Sequence, residues 1–223
     1  MRTITDERIA SFIQSMEPEK PSYLYEMEKE AAKHHVPIIR RPAQSFLKWL
    51  LVTIEPAQIL EVGTAVAFSA IFMSEYLPEG GHITTIEKVP MRIEKARENL
   101  EQYRKNDVIT LLEGDASDLL KELADAKPNG YDFIFMDAAK GQYPHFLPYV
   151  LTLLKPGGIL LSDNVLKEGD IVESRYAITR RDRTIHSRMR EYLYQLTHDD
   201  RLDTVILPIG DGMTLSTKKR SCP

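Results

Sequence analysis

Acidic and amide side chains lie at the ends of five short apolar segments of the chain. They are Glu61, Glu87, Asp115, Asp137 and the adjacent pair Asp163 and Asn164. If the apolar segments are parallel strands, their carboxyl ends meet at one edge of a sheet, and α/β proteins bind their ligands at that edge. The pattern therefore predicts a single polar site to which five strands contribute.

Three of these residues, Asp137, Asp163 and Asn164, offer oxygen atoms that suit a hard cation. Mg²⁺ prefers carboxylate and amide oxygens and keeps water or substrate oxygens in its remaining positions. Without a cation, the two carboxylates would repel each other and the pKa of one would rise. Lys140, three residues beyond Asp137, could neutralise them instead. The residues leave two alternatives open, a Mg²⁺ site or a metal-free ion pair.

The first acid belongs to a strand, a tight turn and a helix that together resemble a nucleotide-binding corner. Gln58–Val62 is predicted as the strand, Gly63 as the residue free to take a positive φ, and Val66–Leu77 as the helix. A pyrophosphate site uses three glycines to bring backbone amides close, and only one is present here. A Glu61 carboxylate at the mouth of the turn would also repel a pyrophosphate and favour a cationic ligand. The predicted ligand is S-adenosylmethionine, and a ligand-free corner is the alternative.

Two other acids suit an adenosine ligand. Glu87 follows the second apolar segment, where an acid in such folds meets a ribose hydroxyl, as it would in an NAD site. Asp115 follows the third segment, where it can accept a hydrogen bond from an adenine amino group. Asp115 can equally cap the helix that begins at Ala116, and the two roles are compatible.

The elements that position these residues alternate along the chain. Five strands are predicted, with a turn at Lys155–Gly158 before the last: Gln58–Val62, His82–Glu87, Val108–Glu113, Tyr131–Asp137 and Ile159–Asp163. Helices are predicted at Val66–Leu77, Pro90–Tyr103, Ala116–Ala124, Tyr143–Leu154 and Arg181–Leu196. Such alternation indicates an α/β fold with a parallel sheet covered on both faces.

The two ends of the chain depart from this alternation. The first 55 residues are predicted to form helices that cap residues 56–223, all within one domain. Near the other end, Asp211-Gly212 lies between the apolar runs Thr204–Ile209 and Met213–Thr217. Because Asp-Gly between apolar runs is a hairpin signal, the sheet is expected to finish in an antiparallel pair.

Composition limits the function classes. No apolar run in the 223 residues is long enough to span a bilayer, and the start lacks the apolar core of a signal peptide. The single cysteine, Cys222, excludes a disulfide framework and a cysteine metal site. A cytoplasmic protein without a membrane partner is therefore expected.

The net charge of −4 is not typical of nucleic-acid-binding domains, yet the basic residues are unevenly distributed. Between positions 175 and 190 a single acid, Asp182, accompanies six arginines: Arg175, Arg180, Arg181, Arg183, Arg188 and Arg190. Arg40 and Arg41 form another basic pair. These residues predict either a phosphate-binding surface or an ordinary solvated helix face.

Several segments together resemble the cation-dependent O-methyltransferases related to catechol and caffeoyl-CoA methyltransferases, over nearly the whole chain. The most specific are Met136–Tyr143 and Leu161–Leu166, and Glu61–Thr64, Phe68-Ser69, Glu87 and Gly114–Ala116 agree with them. Ala67 stands at a position that is commonly glycine in that family. The resemblance implies the Rossmann-like class I fold of S-adenosylmethionine-dependent methyltransferases, with a mostly parallel seven-stranded sheet and a homodimeric assembly.

The resemblance also implies roles for individual residues. It assigns Mg²⁺ to Asp137, Asp163 and Asn164. It assigns the methyl donor to Ile39, Glu61, Gly63, Ser69, Glu87, Gly114, Asp115, Ala116 and Asp137. Lys140 is then expected to be a general base or to stabilise the oxyanion of the acceptor.

Within this family, His34–Ile38, Asp137–Tyr143 and Pro208–Gly212 are most similar to bacterial enzymes that methylate 5-hydroxyuridine at the wobble position of tRNA. That substrate presents two adjacent oxygens, as catechol does, and a wobble base is unpaired. Phosphates of the anticodon loop would then contact Arg40, Arg41, Arg175, Arg180, Arg181 and Arg183. The alternatives are a small catechol-like or phenylpropanoid acceptor, and a non-catalytic nucleotide- or RNA-binding protein on the same fold.

Overall fold

Seven strands form one sheet in the computed structural model, which describes residues 7–220, so that Cys222 lies outside the described range. The strands are β1 (Gln58–Val62), β2 (His82–Glu87), β3 (Ile109–Glu113), β4 (Tyr131–Met136), β5 (Leu154–Ser162), β6 (Leu202–Leu207) and β7 (Met213–Lys218). Their order is β3-β2-β1-β4-β5-β7-β6, and β7 runs antiparallel to the other six strands. The predicted mostly parallel sheet with a C-terminal antiparallel hairpin is confirmed.

Eight α-helices accompany the sheet within the described residues. They are α1 (Glu7–Ser15), α2 (Ser22–Lys33), α3 (Arg41–Ile54), α4 (Phe68–Ser74), α5 (Pro90–Gln102), α6 (Ala116–Ala126), α7 (Tyr143–Leu153) and α8 (Arg183–His198). Two 3₁₀ helices follow the fourth and fifth strands, at Lys140–Gln142 and Lys167–Val172. Within residues 7–220, none of the helices has the length and apolar character needed to cross a bilayer.

The parallel part of the sheet is buried on both faces, because successive side chains of each strand enter different hydrophobic clusters. In β4, Phe133 and Phe135 pack with residues of α2, α3 and α4, whereas Ile134 and Met136 pack with residues of α7 and α8. This explains why the strands have nearly continuous apolar sequences. It also joins the N-terminal helices to the sheet through a shared core.

Helix α4 is shorter than the sequence indicates, beginning at Phe68 instead of Val66 and ending at Ser74 instead of Leu77. Ala65 and Ala67 both adopt left-handed backbone conformations, with φ of 47° and 64°. A left-handed residue cannot continue a right-handed helix, so the helix starts only after Ala67. The backbone therefore adopts at Ala67 the conformation that a glycine would adopt more easily.

The turn predicted at Lys155–Gly158 corresponds to an irregular stretch within β5, which begins at Leu154 and pairs regularly with β4 only from Ile159. The pairing of β4 with β5 shifts register between Tyr131 and Phe133, and Gly157 has a φ of 84°. Four residues of β5 thus lie opposite one residue of β4, and the left-handed glycine among them lets the chain turn before regular pairing resumes.

The C-terminal elements are displaced from their predicted bounds by one or two residues. Helix α8 begins at Arg183, two residues after the predicted start, because a turn closed by the hydrogen bond from the Asp182 N–H to the Thr179 carbonyl precedes it. Strand β6 ends at Leu207, which pairs with Met213. Its predicted extension to Ile209 fails because Pro208 has no N–H to donate to a ladder.

Candidate active site

A cleft of about 740 Å³ opens where the parallel strands end, and most of the predicted site residues line it. The predicted residues in its lining are Ile39, Arg40, Gly63, Ser69, Glu87, Gly114, Asp115, Ala116, Asp137, Lys140, Asp163 and Asn164. Glu61, Arg41, Arg175, Arg180, Arg181 and Arg183 are not part of the lining. The predicted meeting of strand ends at one site is therefore observed.

Gly63 allows the turn after β1 to lie directly against the end of β4. Its φ is 99°, and a Cβ atom at this position would lie 2.3 Å from the Asp137 carbonyl oxygen. No side chain fits at that separation, and an L-residue would also be strained at this φ. Glycine is required here because the two backbones touch.

Glu61 lies beneath this turn, fully buried, instead of at its mouth as the sequence suggested. Its Oε2 accepts hydrogen bonds from the hydroxyls of Thr64 and Thr85 at 2.6 and 2.5 Å. Burial raises the pKa of Glu61 above its usual range, while the hydroxyls of Ser69, Thr64 and Thr85 oppose the rise. Glu61 therefore stabilises the turn through these hydrogen bonds. Its contact with a ligand remains a prediction.

Glu87 connects the same turn to the neighbouring strand. Its Oε2 accepts a hydrogen bond of 3.0 Å from the Ala65 N–H, and its Oε1 accepts from the Lys88 and Val89 N–H groups at 2.8 and 2.9 Å. Each carboxylate oxygen has more than one acceptor position. Glu87 is thus oriented by three backbone donors and retains acceptor capacity toward the cleft that it lines.

Asp115 caps helix α6, which is the structural role that the sequence predicted for it alongside adenine binding. Its Oδ1 accepts a hydrogen bond of 2.9 Å from the Ser117 N–H, and its Oδ2 pairs with the Lys88 ammonium at 3.0 Å. The Ser117 N–H and Lys88 lower the pKa of Asp115 below its usual range. The carboxylate is therefore held ionised at the rim of the cleft, where an adenine amino group is predicted.

Asp137, Lys140 and Tyr143 form a compact polar cluster after β4. The Lys140 ammonium donates to Asp137 Oδ1 at 2.6 Å and to the Tyr143 hydroxyl at 3.0 Å. Burial lowers the pKa of Lys140, but the Tyr143 hydroxyl and the Asp137 carboxylate outweigh it, so the net shift is upward. The ion pair that the metal-free alternative requires is present.

Asp163 and Asn164 lie on the next strand end, beside this cluster. Asp163 is almost fully buried, and its Oδ1 accepts a hydrogen bond of 2.7 Å from the Asn164 N–H. Burial and the nearby Asp137 carboxylate raise the pKa of Asp163 well above its usual range. Asn164 has a left-handed backbone, with a φ of 57°, and its amide faces Asp211 at 3.5 Å.

This donor set suits a hard cation. Two carboxylates close enough to raise the pKa of one of them would be relieved by a positive ion between them. Among residues 7–220, no three His, Cys, Asp or Glu side chains converge as a metal site. A cation bound here would take the two carboxylates and the Asn164 amide oxygen, and would leave positions for substrate oxygens.

The sequence interpretation missed three residues that shape this cleft. Tyr143 is fully buried; its hydroxyl donates to the Met136 and Asp163 carbonyls at 3.0 and 3.3 Å, while it accepts from Lys140. Asp211, regarded only as a hairpin residue, lines the cleft and pairs with Arg40 at 2.9 Å. The pairing of β5 with β7 brings the hairpin there, and no sequence signal indicated this pairing.

Gln44 is the third missed residue, and it holds the segment that carries Ile39. Its buried amide donates to the Ile39 carbonyl at 2.8 Å and to Glu28 Oε1 at 2.9 Å, and it accepts from Lys20 at 2.8 Å. Burial raises the pKa of Glu28, but hydrogen bonds from Lys20 and Gln44 reverse this and give a net lowering. This network fixes the wall of the cleft that contains Ile39.

The predicted phosphate-binding arginines differ in their surroundings. Arg41 pairs with Glu28 at 3.1 Å, and Arg183 Nε donates to the Ile178 carbonyl at 3.2 Å. Arg175, Arg180 and Arg181 are exposed and lie on the segment that joins the second 3₁₀ helix to α8. Only Arg40 among these residues reaches the cleft lining itself.

We expect Tyr143→Phe to lower turnover at least ten-fold, because the hydroxyl orients Lys140, while it costs about 1–2 kcal/mol of unfolding free energy through lost hydrogen bonds. Tyr192→Phe is the matched control. Tyr192 is equally buried and packs edge-on against Tyr143, but its hydroxyl bonds to Ser162. Steady-state kinetics and urea unfolding of both variants check this. Equal turnover losses in the two would contradict a specific role for Tyr143.

Comparison with known proteins agrees with this site. The profile of the O-methyltransferase family matches residues 14–219. A caffeoyl-CoA O-methyltransferase of Citrus natsudaidai is 30% identical over 209 residues, which cover 92% of this chain and 90% of that protein.

Solved structures are similar over almost the whole chain. The O-methyltransferase from Bacillus cereus in complex with S-adenosylhomocysteine has a TM-score of 0.83 and 26% identity, and covers 95% of this chain and 97% of its own. The methyltransferase PaMTH1 of Podospora anserina, also bound to S-adenosylhomocysteine, has a TM-score of 0.83 and 26% identity, with coverages of 96% and 95%. The chain therefore belongs to the O-methyltransferase family and has its Rossmann-like class I methyltransferase fold.

Proposed function

We propose that this O-methyltransferase uses S-adenosylmethionine and Mg²⁺ to convert 5-hydroxyuridine to 5-methoxyuridine at the wobble position of tRNA. The observation that carries the proposal is the single cleft in which the predicted donor residues meet the oxygen set of Asp137, Asp163 and Asn164. A second feature, the exposed arginines 175, 180 and 181, supports a nucleic-acid substrate next to that cleft. Such a substrate would be met in the cytoplasm.

The donor half of the cleft supports S-adenosylmethionine. Two similar structures contain its product, S-adenosylhomocysteine. In this chain Glu87 retains acceptor capacity for ribose hydroxyls, and Asp115 for an adenine amino group. The segment around Ile39 would cover the donor, since the Gln44 amide holds its backbone at the cleft wall.

The acceptor half supports a substrate with two adjacent oxygens. A bound Mg²⁺ would lower the pKa of the substrate hydroxyl and neutralise the charge of the resulting oxyanion. Asp137, Asp163 and Asn164 would hold the cation, and the Lys140 ammonium, 2.6 Å from Asp137, would add positive charge beside the same oxygen. The substrate hydroxyl would lose its proton to solvent. The oxyanion, aimed at the sulfonium methyl group, would then form the new C–O bond as the C–S bond breaks, which releases S-adenosylhomocysteine.

A small catechol-like or phenylpropanoid acceptor is the alternative that a specific observation favours. The Citrus relative is a caffeoyl-CoA O-methyltransferase, and the net charge of −4 gives no general attraction to a polyanion. The chemistry at the cation would be the same. A non-catalytic nucleotide- or RNA-binding role is less well supported, because Asp137, Lys140, Asp163 and Asn164 are all present in one cleft.

We predict that the purified protein, given S-adenosylmethionine, Mg²⁺ and tRNA that carries 5-hydroxyuridine, produces 5-methoxyuridine detectable by nucleoside mass spectrometry. Free catechol and caffeoyl-CoA, assayed in parallel, should react at least 100-fold more slowly in kcat/KM. Rapid methylation of the small acceptors while the tRNA stays unmethylated would contradict the tRNA substrate and support the small catechol-like or phenylpropanoid acceptor. Binding of tRNA without transfer to any acceptor would support the non-catalytic role.

We predict that Asp163→Asn removes Mg²⁺ binding while S-adenosylmethionine binding stays within about three-fold, because Asp163 is predicted to hold the cation and not the donor. Calorimetric titration of each ligand gives the readout, and circular dichroism checks the fold. EDTA should stop transfer by the wild-type protein and added Mg²⁺ should restore it. Transfer that persists through chelation, or equal loss of both binding events, would refute this division of roles.

We also propose that the protein assembles as a homodimer through its N-terminal helices. Six of the twelve large hydrophobic side chains that are exposed in the described part of the chain lie on or directly beside α1 and α3: Ile9, Phe12, Ile13, Met16, Trp49 and Val52. Monomers seldom expose so many large apolar groups on neighbouring elements. A second copy that covers them would remove these side chains from water.

We expect wild-type protein to sediment as a dimer and Trp49→Glu to sediment as a monomer, because a charge would then be buried in the interface. Met91→Glu is the control, since Met91 is similarly exposed but lies on α5. Analytical ultracentrifugation at several concentrations distinguishes the species. A monomeric wild type, or a Trp49→Glu dimer of unchanged affinity, would contradict this interface.

A further inference from the structure

The segment Glu173–Asp182, here named the arginine loop, joins the 3₁₀ helix Lys167–Val172 to α8. It presents Arg175, Arg180 and Arg181 to solvent together with Tyr176, whose side chain is 86% exposed. That is the greatest exposure of any large hydrophobic side chain within residues 7–220. An aromatic ring this exposed contributes nothing to the core and is available to a ligand.

The arginine loop is anchored at both sides of Tyr176. Ile171 and Ile178 are buried, and arginines of α8 bind their carbonyls: Arg190 donates to Ile171 at 3.1 Å and Arg183 to Ile178 at 3.2 Å. Between these anchors, the Tyr176 N–H donates to the Ser174 hydroxyl at 3.3 Å. The ring is therefore presented from a fixed turn, which lowers the entropy lost when it binds a partner.

The arginine loop adjoins the cleft. Lys167 and Asp170 line the cleft, and the Lys167 ammonium pairs with Asp170 at 3.5 Å and with Asp182, the last residue of the loop, at 3.4 Å. Tyr176 is six positions beyond Asp170, so the chain can span at most about 20 Å between them. A ligand with one group in the cleft can therefore extend over the loop.

The exposed arginines and aromatic ring of the arginine loop are the side chains that typically bind single-stranded nucleic acid. Among the described residues, no carboxylate lies within ion-pair distance of Arg175, Arg180 or Arg181. Exposed guanidinium groups beside an exposed aromatic ring match a chain of phosphates and unpaired bases, because bases stack on aromatic rings while arginines contact the backbone. A fully paired duplex would not offer a base face to Tyr176.

We propose that Tyr176 is a stacking platform for an unpaired base of the RNA substrate, next to the base that enters the cleft. Arg175, Arg180 and Arg181 contact the flanking phosphates. This inference rests on the proposed tRNA substrate and adds the surface that recognises its loop. It assigns binding to the ring of Tyr176 and not to its hydroxyl, because stacking needs only the π-face.

The test is fluorescence anisotropy with the full-length protein and a fluorescein-labelled RNA hairpin whose unpaired loop contains 5-hydroxyuridine. We expect Tyr176→Ala to weaken binding about ten-fold or more, the usual effect of losing one base stack. Tyr176→Phe should bind like wild type, and so should Tyr194→Ala, in which an exposed tyrosine of α8 is removed. The salt dependence should be unchanged in Tyr176→Ala and flatter in Arg175→Gln/Arg180→Gln, which loses phosphate contacts.

Two results would overturn the inference: wild-type affinity in Tyr176→Ala, or equal weakening in Tyr176→Phe. Equal binding of a fully paired RNA by the wild type would also overturn it, because no base face is then accessible. Methylation of the hairpin, measured separately by mass spectrometry, reports on the proposed function. Normal methylation with wild-type binding by Tyr176→Ala removes only the stacking role, whereas tight Tyr176-dependent binding without methylation removes only the proposed reaction.

Discussion

The site depends on backbone hydrogen bonds that continue one residue past the ends of the parallel strands. Four residues that follow strands each donate their N–H to the neighbouring strand: Gly114 to Glu87, Gly63 to Ile86, Asp137 to Val62 and Asp163 to Met136. Because the sheet ladder extends to these residues, strand register fixes the spacing between the turn after β1 and the carboxylates of Asp137 and Asp163. A slip of one residue would turn every strand-end side chain to the other face.

That spacing has a steric and an electrostatic consequence. Gly63 must be glycine because the turn after β1 touches the backbone of Asp137. The same close packing buries Asp163 near a second carboxylate, which is unfavourable unless positive charge is near. Lys140 provides that charge, and the Tyr143 hydroxyl holds it in place while bonding to the carbonyl of Asp163. The two carboxylates already attract the positive charge of Lys140, and they would attract a bound cation in the same way.

The sequence predicted what depends on local pattern. The bounds of β1 and β2 agree with the structure, because buried parallel strands are short apolar runs, and parallel topology alone brings their acidic ends together. It could not predict contacts made across the sheet or between distant elements. Glu61 turned inward because Thr85 on β2 bonds to it, and Asp211 reaches the cleft only through the β5–β7 register. The late start of α4 depends on two left-handed alanines, which no residue preference indicates.

The sequence also could not predict which arginines make contacts within the protein. The six arginines between positions 175 and 190 look equivalent in the sequence, but the structure divides them into two groups. Arg183, Arg188 and Arg190 donate to the carbonyls of Ile178, Gly141 and Ile171, so their charge is tied to the backbone. Arg175, Arg180 and Arg181 remain at the surface. Arg188 binds the 3₁₀ turn that begins at Lys140. Helix α8 therefore connects the arginine loop to the cluster of Asp137, Lys140 and Tyr143. An RNA bound at the loop, as proposed, would thereby be held at a fixed position relative to Lys140, which is the condition for an oriented displacement.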